Sequence, residues 1–406
     1  KFIENLFKLN KRMFVVSGSD ENELIQVFIK RGIDHYFEKI YGSPANKAEN
    51  TNKVVSNMKK PIIGITMGEP AGIGPEICGR ALWNESVYEK CNPVIIGDVK
   101  TIEHSLSFVK DSKDFPIVSY SLDEIPNINY KFGEIAVIDL KNTDPAKVPY
   151  GTETAMGGKA AGEFIKTSID LAMENKIDAV VTAPISKPSF TLGGWGEKYP
   201  GHTEMYADLT NTKKFTMLLA HRNFRVVHVS VHVSLEEAIR RVKTPRVIET
   251  IELAVTSCKM FGIEKPHIAV CGLNPHAGDE GKFGYEDVEQ ILPAVEEMKK
   301  RGHNVVGPVP ADTVWPKLKS GFYDIVVANY HDQGHIPTKL LGFQYDKDGH
   351  CIDVEGVNIT IGIPMIRVSV DHGTAYGKAG KGIATPTSLL GALEIATTLA
   401  NNRNTN

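Results

Sequence analysis

Cysteine is scarce in this chain. There are five in 406 residues (Cys78, Cys91, Cys258, Cys271 and Cys351), odd in number and never spaced as CxxC. That pattern excludes a disulfide framework and a zinc-finger or CxxC redox site, and it points to a reducing, cytoplasmic setting. No apolar run reaches the ~18 residues that a membrane-spanning helix needs. The N-terminal stretch shows no apolar region followed by a small-residue cleavage site, so export is not indicated. Basic blocks are missing as well. With a formal charge of −3, the chain lacks the concentration of Lys and Arg that tight nucleic-acid binding requires. Neither GxxxxGK[ST] nor GxGxxG occurs, which removes the P-loop and the Rossmann fingerprint. What remains, at 42% hydrophobic and 23% charged residues, has the composition of an ordinary globular protein. Its length suggests roughly two or three domains.

Residues 1–57 read differently from the rest. "MFVVSGSDENELIQVFIKRG" is an apolar strand, a turn with Ser19 or Asp20 as helix N-cap, and an amphipathic helix stopped at Gly32. "IYGSPANKAEN" supplies a second short strand and a turn, and a polar connector follows. The piece resembles the second half of a haloacid-dehalogenase-type phosphatase core. In that family a Ser or Thr ends one strand, here Ser17, and a Lys follows the next, here Lys47. The nucleophilic aspartate pair of such enzymes is missing, so the piece reads as a fused remnant or the tail of a truncated domain. The chain begins with Lys1 rather than Met, as a processed or truncated chain would.

From Pro61 onward the pattern is α/β. Short apolar runs such as "PIIGITM", "PVIIGD", "AVVTAP", "RVVHVSVHV", "HIAVCGL" and "DIVVANY" alternate with helical stretches, among them "LEEAIRRVKTPRVIETIELAVTSCKMFG". Continuous apolar strands alternating with helices predict a largely parallel sheet covered on both faces.

Polar residues gather where those strands end. "NYHDQGHIPTK" holds His331, Asp332, His335 and Lys339. Gly334 and Pro337 disfavour helix, so the four-residue spacing of the two histidines is not expected to place them on one face. The stretch is expected to be a loop at a strand's carboxyl end, where open α/β sheets place ligands. "GHTE" (His202, Thr203, Glu204), "GLNPHAGDEGKFG" (Asn274, His276, Asp279, Glu280) and "GPVPADT" (Asp312) are expected in equivalent positions. His228, Ser230 and His232 alternate, as residues sharing one strand face do. If three imidazoles converge, a divalent metal such as zinc is the natural occupant.

Two glycine-rich loops remain. "GITMGEPAGIGPEI" places Gly68, Gly72 and Gly74 ahead of a helix, a weak signal for an anion at the helix N-terminus. "SVDHGTAYGKAGKGIATP" is denser in glycine, and a loop that wraps a ligand accounts for it better than a structural turn.

Taken together, "ITMGEPAGIGPEI", "TAPISK", "GHTE", "GLNPHAGDEGKFG", "GPVPADT", "YHDQGH" and "GVNITIGIPMIRVSVDHGTA" closely resemble the 4-hydroxythreonine-4-phosphate dehydrogenase family, from about Met58 to the C-terminus. "HGTAYGKAGKGIATP" is more distantly similar to the cofactor loop of isocitrate and isopropylmalate dehydrogenases. The resemblance implies a two-subdomain α/β/α fold with a central cleft and a non-Rossmann NAD site. One subdomain would comprise residues 58–200 with about 341–406, the other 201–340.

It also implies a homodimer with shared active sites, each holding one zinc, magnesium or cobalt ion. By motif the metal histidines are His232, His276 and His331, separated by 44 and 55 residues. Substrate contacts fall on His202, Thr203, Lys339, Asn358 and Arg367. NAD, or alternatively NADP, falls on Gly72, Gly74, Asp371, His372, Gly373, Thr374 and Gly380. Lys339, Asp312 and Asp332 are the candidates for moving the alcohol proton. The implied reaction oxidises the 3-hydroxyl of a small four-carbon 4-phosphorylated hydroxy acid to a β-keto acid, which then decarboxylates.

Two departures bear on the substrate. "GHIP" follows the HDQ, where the pyridoxine-biosynthetic members read Gly-Leu-Pro, and an insert, "QYDKDGHCIDVEG", is expected to form a hairpin turning at "KDG". Both favour the branch of carbohydrate metabolism that oxidises 4-phospho-D-threonate or 4-phospho-D-erythronate, with 4-phosphohydroxy-L-threonine as the alternative. A metal-dependent lyase would have no use for the cofactor loop, and a binding module would have no use for the metal.

Overall fold

The apolar runs from Ile62 onward become the strands of one twelve-stranded sheet. The computed structural model describes residues 3, 13–43, 60–349 and 351–403. The chain divides into two units, one running to Pro61 and including the residues from Ala400, the other Ile62–Leu399. Among the described residues no helix is long and apolar enough to cross a membrane.

In the first unit, strand Phe14–Asp20 pairs in parallel with Lys39–Ser43. Between them lies helix Glu21–Lys30, whose N-cap is Asp20: its carboxylate accepts from the Glu23 N–H at 3.0 Å. That cap satisfies one of the free amides of the first turn. The chain leaves the helix through Gly32 at φ 63°. The Ser17 hydroxyl accepts from the Ser19 N–H at 3.1 Å, and Lys47 lies outside the described residues.

Across the large sheet the order begins Val305–Val309, Ile268–Cys271, Ile325–Ala328, Phe224–His228, Thr216–His221 and Val357–Ile361. It continues Arg367–Val370, Ala179–Thr182, Ile62–Thr66, Asn92–Gly97, Ile135–Asp139 and Ile117–Tyr120. All neighbours are parallel except at the centre. Thr216–His221 is antiparallel to both its neighbours, and Val357–Ile361 is antiparallel to Arg367–Val370. The two parallel halves therefore run in opposite directions. Loops that follow strands in one half leave the sheet at the opposite end from loops in the other half, so strand-end loops alone cannot make a single ring.

The inner parallel strands are mostly apolar because both faces are covered. Ala179–Thr182, Ile268–Cys271 and Ile325–Ala328 are buried at every position. Each fully buried Val or Ile in them contributes about 1.5–3 kcal/mol of hydrophobic stabilisation. On one side Phe224, Val226, Ala269, Val314, Leu318 and Val326 form a packed cluster.

Several local expectations are corrected. The stretch His331–Gly342 is a helix, although it contains Gly334 and Pro337. Tertiary packing outweighs propensity here. The Gln333 side chain accepts from the Asn329 N–H at 2.7 Å and donates to the Gly272 carbonyl at 2.8 Å, which pins the helix start to the neighbouring strand loop. Gly334 is needed for close approach, since a Cβ there would stand 2.3 Å from His228 Nε2. "GHTE" ends no strand and instead opens helix His202–Leu209. The long helical stretch after Ser234 breaks into Leu235–Arg241 and Thr244–Met260, with Pro245 in the first turn of the second. The insert does form a hairpin, Phe343–Tyr345 antiparallel to Cys351–Val354, with Gly349 at φ 80° in the turn.

Candidate active site

A cavity of about 1050 Å³ runs along the middle of the sheet. His202 and Thr203 enter it from the start of their helix, Asn358 and Arg367 from the central strands, and His372 and Gly373 from the second glycine loop. Thr360 and Arg367 are cross-strand partners, so the antiparallel centre of the sheet carries the guanidinium.

Arg367 is 3% exposed. It donates to the Thr360 hydroxyl at 3.0 Å and the Thr182 hydroxyl at 2.7 Å, lies 5.5 Å from the Tyr206 ring centroid, and leaves Nε without a partner. No ion pair to it is found among the described residues. Burial pushes its pKa down to about 10. A buried cation whose hydrogen-bond partners are all neutral, with Glu204 acting on it only through its charge, is costly unless an anion completes it. His202 Nε2 and Asn358 Oδ1 are likewise buried without partners, while the Asn358 amide nitrogen contacts Met217 Sδ. Burial first, and then the Arg367 charge, hold the His202 pKa well below the usual 6.5, so this ring is neutral at neutral pH.

The histidines form a ladder. His228 is fully buried at the end of its strand, with both ring nitrogens unpartnered, and its ring centroid lies 4.8 Å from that of His335. His335 stacks on His331 at 3.6 Å, and His331 faces His232 at 5.7 Å. Burial, then the neighbouring imidazoles, push the His228 pKa down to about 3; burial and His331 take that of His335 to about 4. His331 and His335 thus share a helix face, contrary to the expectation from Gly334 and Pro337. His228, Ser230 and His232 do not share a strand face, because the strand ends at His228 and His232 lies exposed in the following loop.

Two of the three expected metal histidines are therefore neighbours within one chain. His331 Nδ1 is engaged by Asp332 Oδ1 at 2.6 Å, which leaves Nε2 free to act as a ligand. His276 is exposed on the Pro275–Gly281 loop, where its ring contacts Phe283. Among the described residues no three His, Cys, Asp or Glu side chains come together as a metal site. His232 and His331 fit two positions around a divalent ion, and among the described residues of the single chain no third ligand joins them. His232, Tyr330, His331 and Asp332 border a second hollow of about 480 Å³, and His232 lines both hollows.

Of the candidate proton-handling groups, Asp332 is exposed beside His331, and Asp312 is exposed in the first turn of Ala311–Lys319, outside the lining of both hollows. Lys339 lies about two turns beyond Asp332 on the same helix and, like Asp312, outside the lining of both hollows, its Nζ 5.3 Å from the Phe343 ring centroid. Its charge acts on Asp371, whose carboxyl is raised by burial and drawn back by Lys339 and His331, and whose Oδ2 is buried without a partner.

The glycines of the second loop divide in two. A Cβ on Gly380 would meet the Tyr150 ring at 2.4 Å, whereas Gly373 and Gly377 face open space. In the first loop, a Cβ on Gly74 would stand 2.2 Å from the Met67 carbonyl oxygen, and Gly72 packs on Thr374. The cavity also takes in Lys187, Lys213, Thr216, Met217 and Arg246, which sequence reasoning did not single out. Lys187 ends the "TAPISK" motif, which could have signalled it; nothing in the sequence marks the others.

Comparison with known proteins agrees with this picture. The family described as pyridoxal phosphate biosynthetic protein PdxA matches residues 89–396. A D-threonate 4-phosphate dehydrogenase of Cupriavidus necator is 44% identical over 344 residues, 84% of this chain and 98% of that protein. A 4-hydroxythreonine-4-phosphate dehydrogenase of Desulforapulum autotrophicum is 41% identical over 338 residues, 83% of this chain and 95% of its own length. The crystal structure of a 4-hydroxythreonine-4-phosphate dehydrogenase from Burkholderia phymatum superposes with a TM-score of 0.72 at 42% identity, covering 84% of this chain and 98% of that one. With a family match over most of its length and relatives aligned almost end to end, the chain belongs to the PdxA family of dehydrogenases.

Proposed function

We propose that the protein oxidises the 3-hydroxyl of a four-carbon 4-phosphorylated hydroxy acid with NAD, preferring 4-phospho-D-threonate or 4-phospho-D-erythronate to 4-phosphohydroxy-L-threonine. The observation that carries this reading is the set of unpartnered buried atoms around one cavity: Arg367 Nε, Asn358 Oδ1 and His202 Nε2. A substrate with a phosphate at one end, a carboxylate at the other and hydroxyls between them would satisfy all three. The guanidinium fork suits either anion, and the Asn358 oxygen accepts from a hydroxyl. Support for the hydroxy substrate over the amino one comes from "GHIP" and from the name of the Cupriavidus relative.

His232 and His331 would hold a divalent ion, with Asp332 fixing the His331 ring through Nδ1. The third imidazole, His276, would come from a second copy of the chain in a homodimer; the exposure of His232 and His276 in the single chain fits a site completed by a partner. When bound, such an ion supplies Lewis acidity at the reacting oxygen. Neutral His202 would orient the substrate without adding charge, and Arg367 would exclude neutral analogues. Lys339, coupled to Asp371, is better placed than Asp312 to move the alcohol proton and to steady charge as carbon dioxide leaves. Gly72, Gly74, His372, Gly373, Thr374 and Gly380 would carry the dinucleotide in a cytoplasmic enzyme.

The test is NADH formation from each substrate with zinc or magnesium supplied, repeated after chelation. Faster turnover of the amino substrate would overturn the preference. NADH from neither substrate, at any metal loading, would overturn the reaction.

A further inference from the structure

Glu69 lies in the first glycine loop and takes no part in the reaction proposed above. It is 0% exposed, and its Oε2 has no hydrogen-bond partner. Oε1 accepts from the Ala71 N–H at 3.3 Å. Four pieces of chain close around this carboxyl. At the start of helix Ala155–Met173, Gly157 comes so near that a Cβ would stand 2.5 Å from Oε1. From the start of helix Lys187–Leu192, the Ser186 backbone and the Ser189 hydroxyl lie beside it. The Ser189 hydroxyl is 3.3 Å from the Tyr376 hydroxyl, which belongs to the second glycine loop. The two glycine loops also touch directly: Ile73 N–H donates to the Thr374 carbonyl at 3.0 Å, and a Cβ on Gly72 would meet that oxygen at 3.0 Å.

We propose that Glu69 is a positioning residue for the dinucleotide, locking the first glycine loop, through Ser189 and Tyr376, against the second loop. This rests on the NAD-dependent reading above. The titratable groups that face Glu69 are Glu153 and Tyr376, and no cation among the described residues opposes them. Burial, with Glu153 adding to it, pushes the carboxyl up to about 7, so it is neutral on the acid side of that value. The carboxyl accepts from Ala71 and stands beside the Ser186 and Ser189 donors, which draw its pKa back only in part against burial. Above that value the anion stands in a dry site against the Glu153 charge, which strains the contact between the loops.

The experiment compares full-length wild type, E69Q and E69A by NADH fluorescence titration and by KM and kcat, on both sides of pH 7. Glutamine keeps the shape and a neutral donor. E69Q is therefore expected to bind NADH as wild type does below pH 7, and to keep that affinity above it, where wild type weakens. E69A is expected to raise the KM for NAD about tenfold, with the KM for the phosphorylated substrate within about twofold of wild type. Equal NADH affinity in all three proteins at every pH would overturn the inference. So would variants that lose thermal stability alone, or that shift both KM values together. Failure of the dehydrogenase reading itself is seen separately, as wild-type protein that binds no NADH, and it removes this inference too.

Discussion

Arg367 sets binding against stability in a way that can be measured. Its fall from the ordinary 12.5 to about 10 means that the fold disfavours the charged guanidinium by roughly 3 kcal/mol. The charged form is the disfavoured one, so the penalty is present at every pH below about 10 and is constant through the working range. Replacing Arg367 with Met removes that penalty and loses the hydrogen bonds to Thr182 and Thr360, each worth about 1 kcal/mol. The expected net effect of Arg367→Met is a gain of about 1 kcal/mol in phosphate-free buffer, read as a higher urea midpoint with an unchanged slope.

An anion that completes the site should reverse the order of the two proteins. Inorganic phosphate at about 100 times its dissociation constant stabilises a binding protein by about 2.7 kcal/mol, and it should do so for wild type only. Catalysis should suffer by the worth of a broken buried pair, about 3–5 kcal/mol, or at least about 100-fold in kcat/KM. An Arg367→Met protein less stable than wild type without anions, together with equal stabilisation of both by phosphate, would refute the idea of an uncompensated cation awaiting substrate.

Three further outcomes follow from other parts of the site. Gly334→Ala should destabilise by about 1–3 kcal/mol, because its Cβ would lie 2.3 Å from His228 Nε2; adding His228→Ala should recover part of that loss in a double-mutant cycle of denaturation midpoints. His228 keeps a folded pKa of about 3 against the usual 6.5, so its neutral form contributes full stability above 6.5 and loses it as the pH falls towards 3. At pH 5 the loss is about 2 kcal/mol, and His228→Leu should flatten that part of the stability profile. Co-expression of His232→Ala and His276→Ala chains should restore activity that neither has alone, since one mixed site keeps both imidazoles if His276 comes from the second copy; an inactive mixture would place both ligands in one chain.

The sequence by itself determined whatever depends on short stretches. Apolar runs such as "AVVT" and "IAVC" had to be strands buried on both faces, Ser19 or Asp20 had to cap the first helix, and "KDG" had to turn a hairpin. The family was legible for the same reason, because its motifs are local strings in a consistent order. Only the tertiary structure decided the rest. His331–Gly342 is helical because Gly334 lets it pack against His228 and because Gln333 ties it to Gly272, contacts between segments more than a hundred and about sixty residues apart. The opposite run of the two half-sheets depends on crossovers that periodicity does not encode. The unpartnered atoms of Arg367, His202, Asn358 and Glu69 are a property of what does not surround them. A residue's letter states which hydrogen bonds and charges it can offer; burial, set by distant parts of the chain, determines which of those offers are left for a ligand.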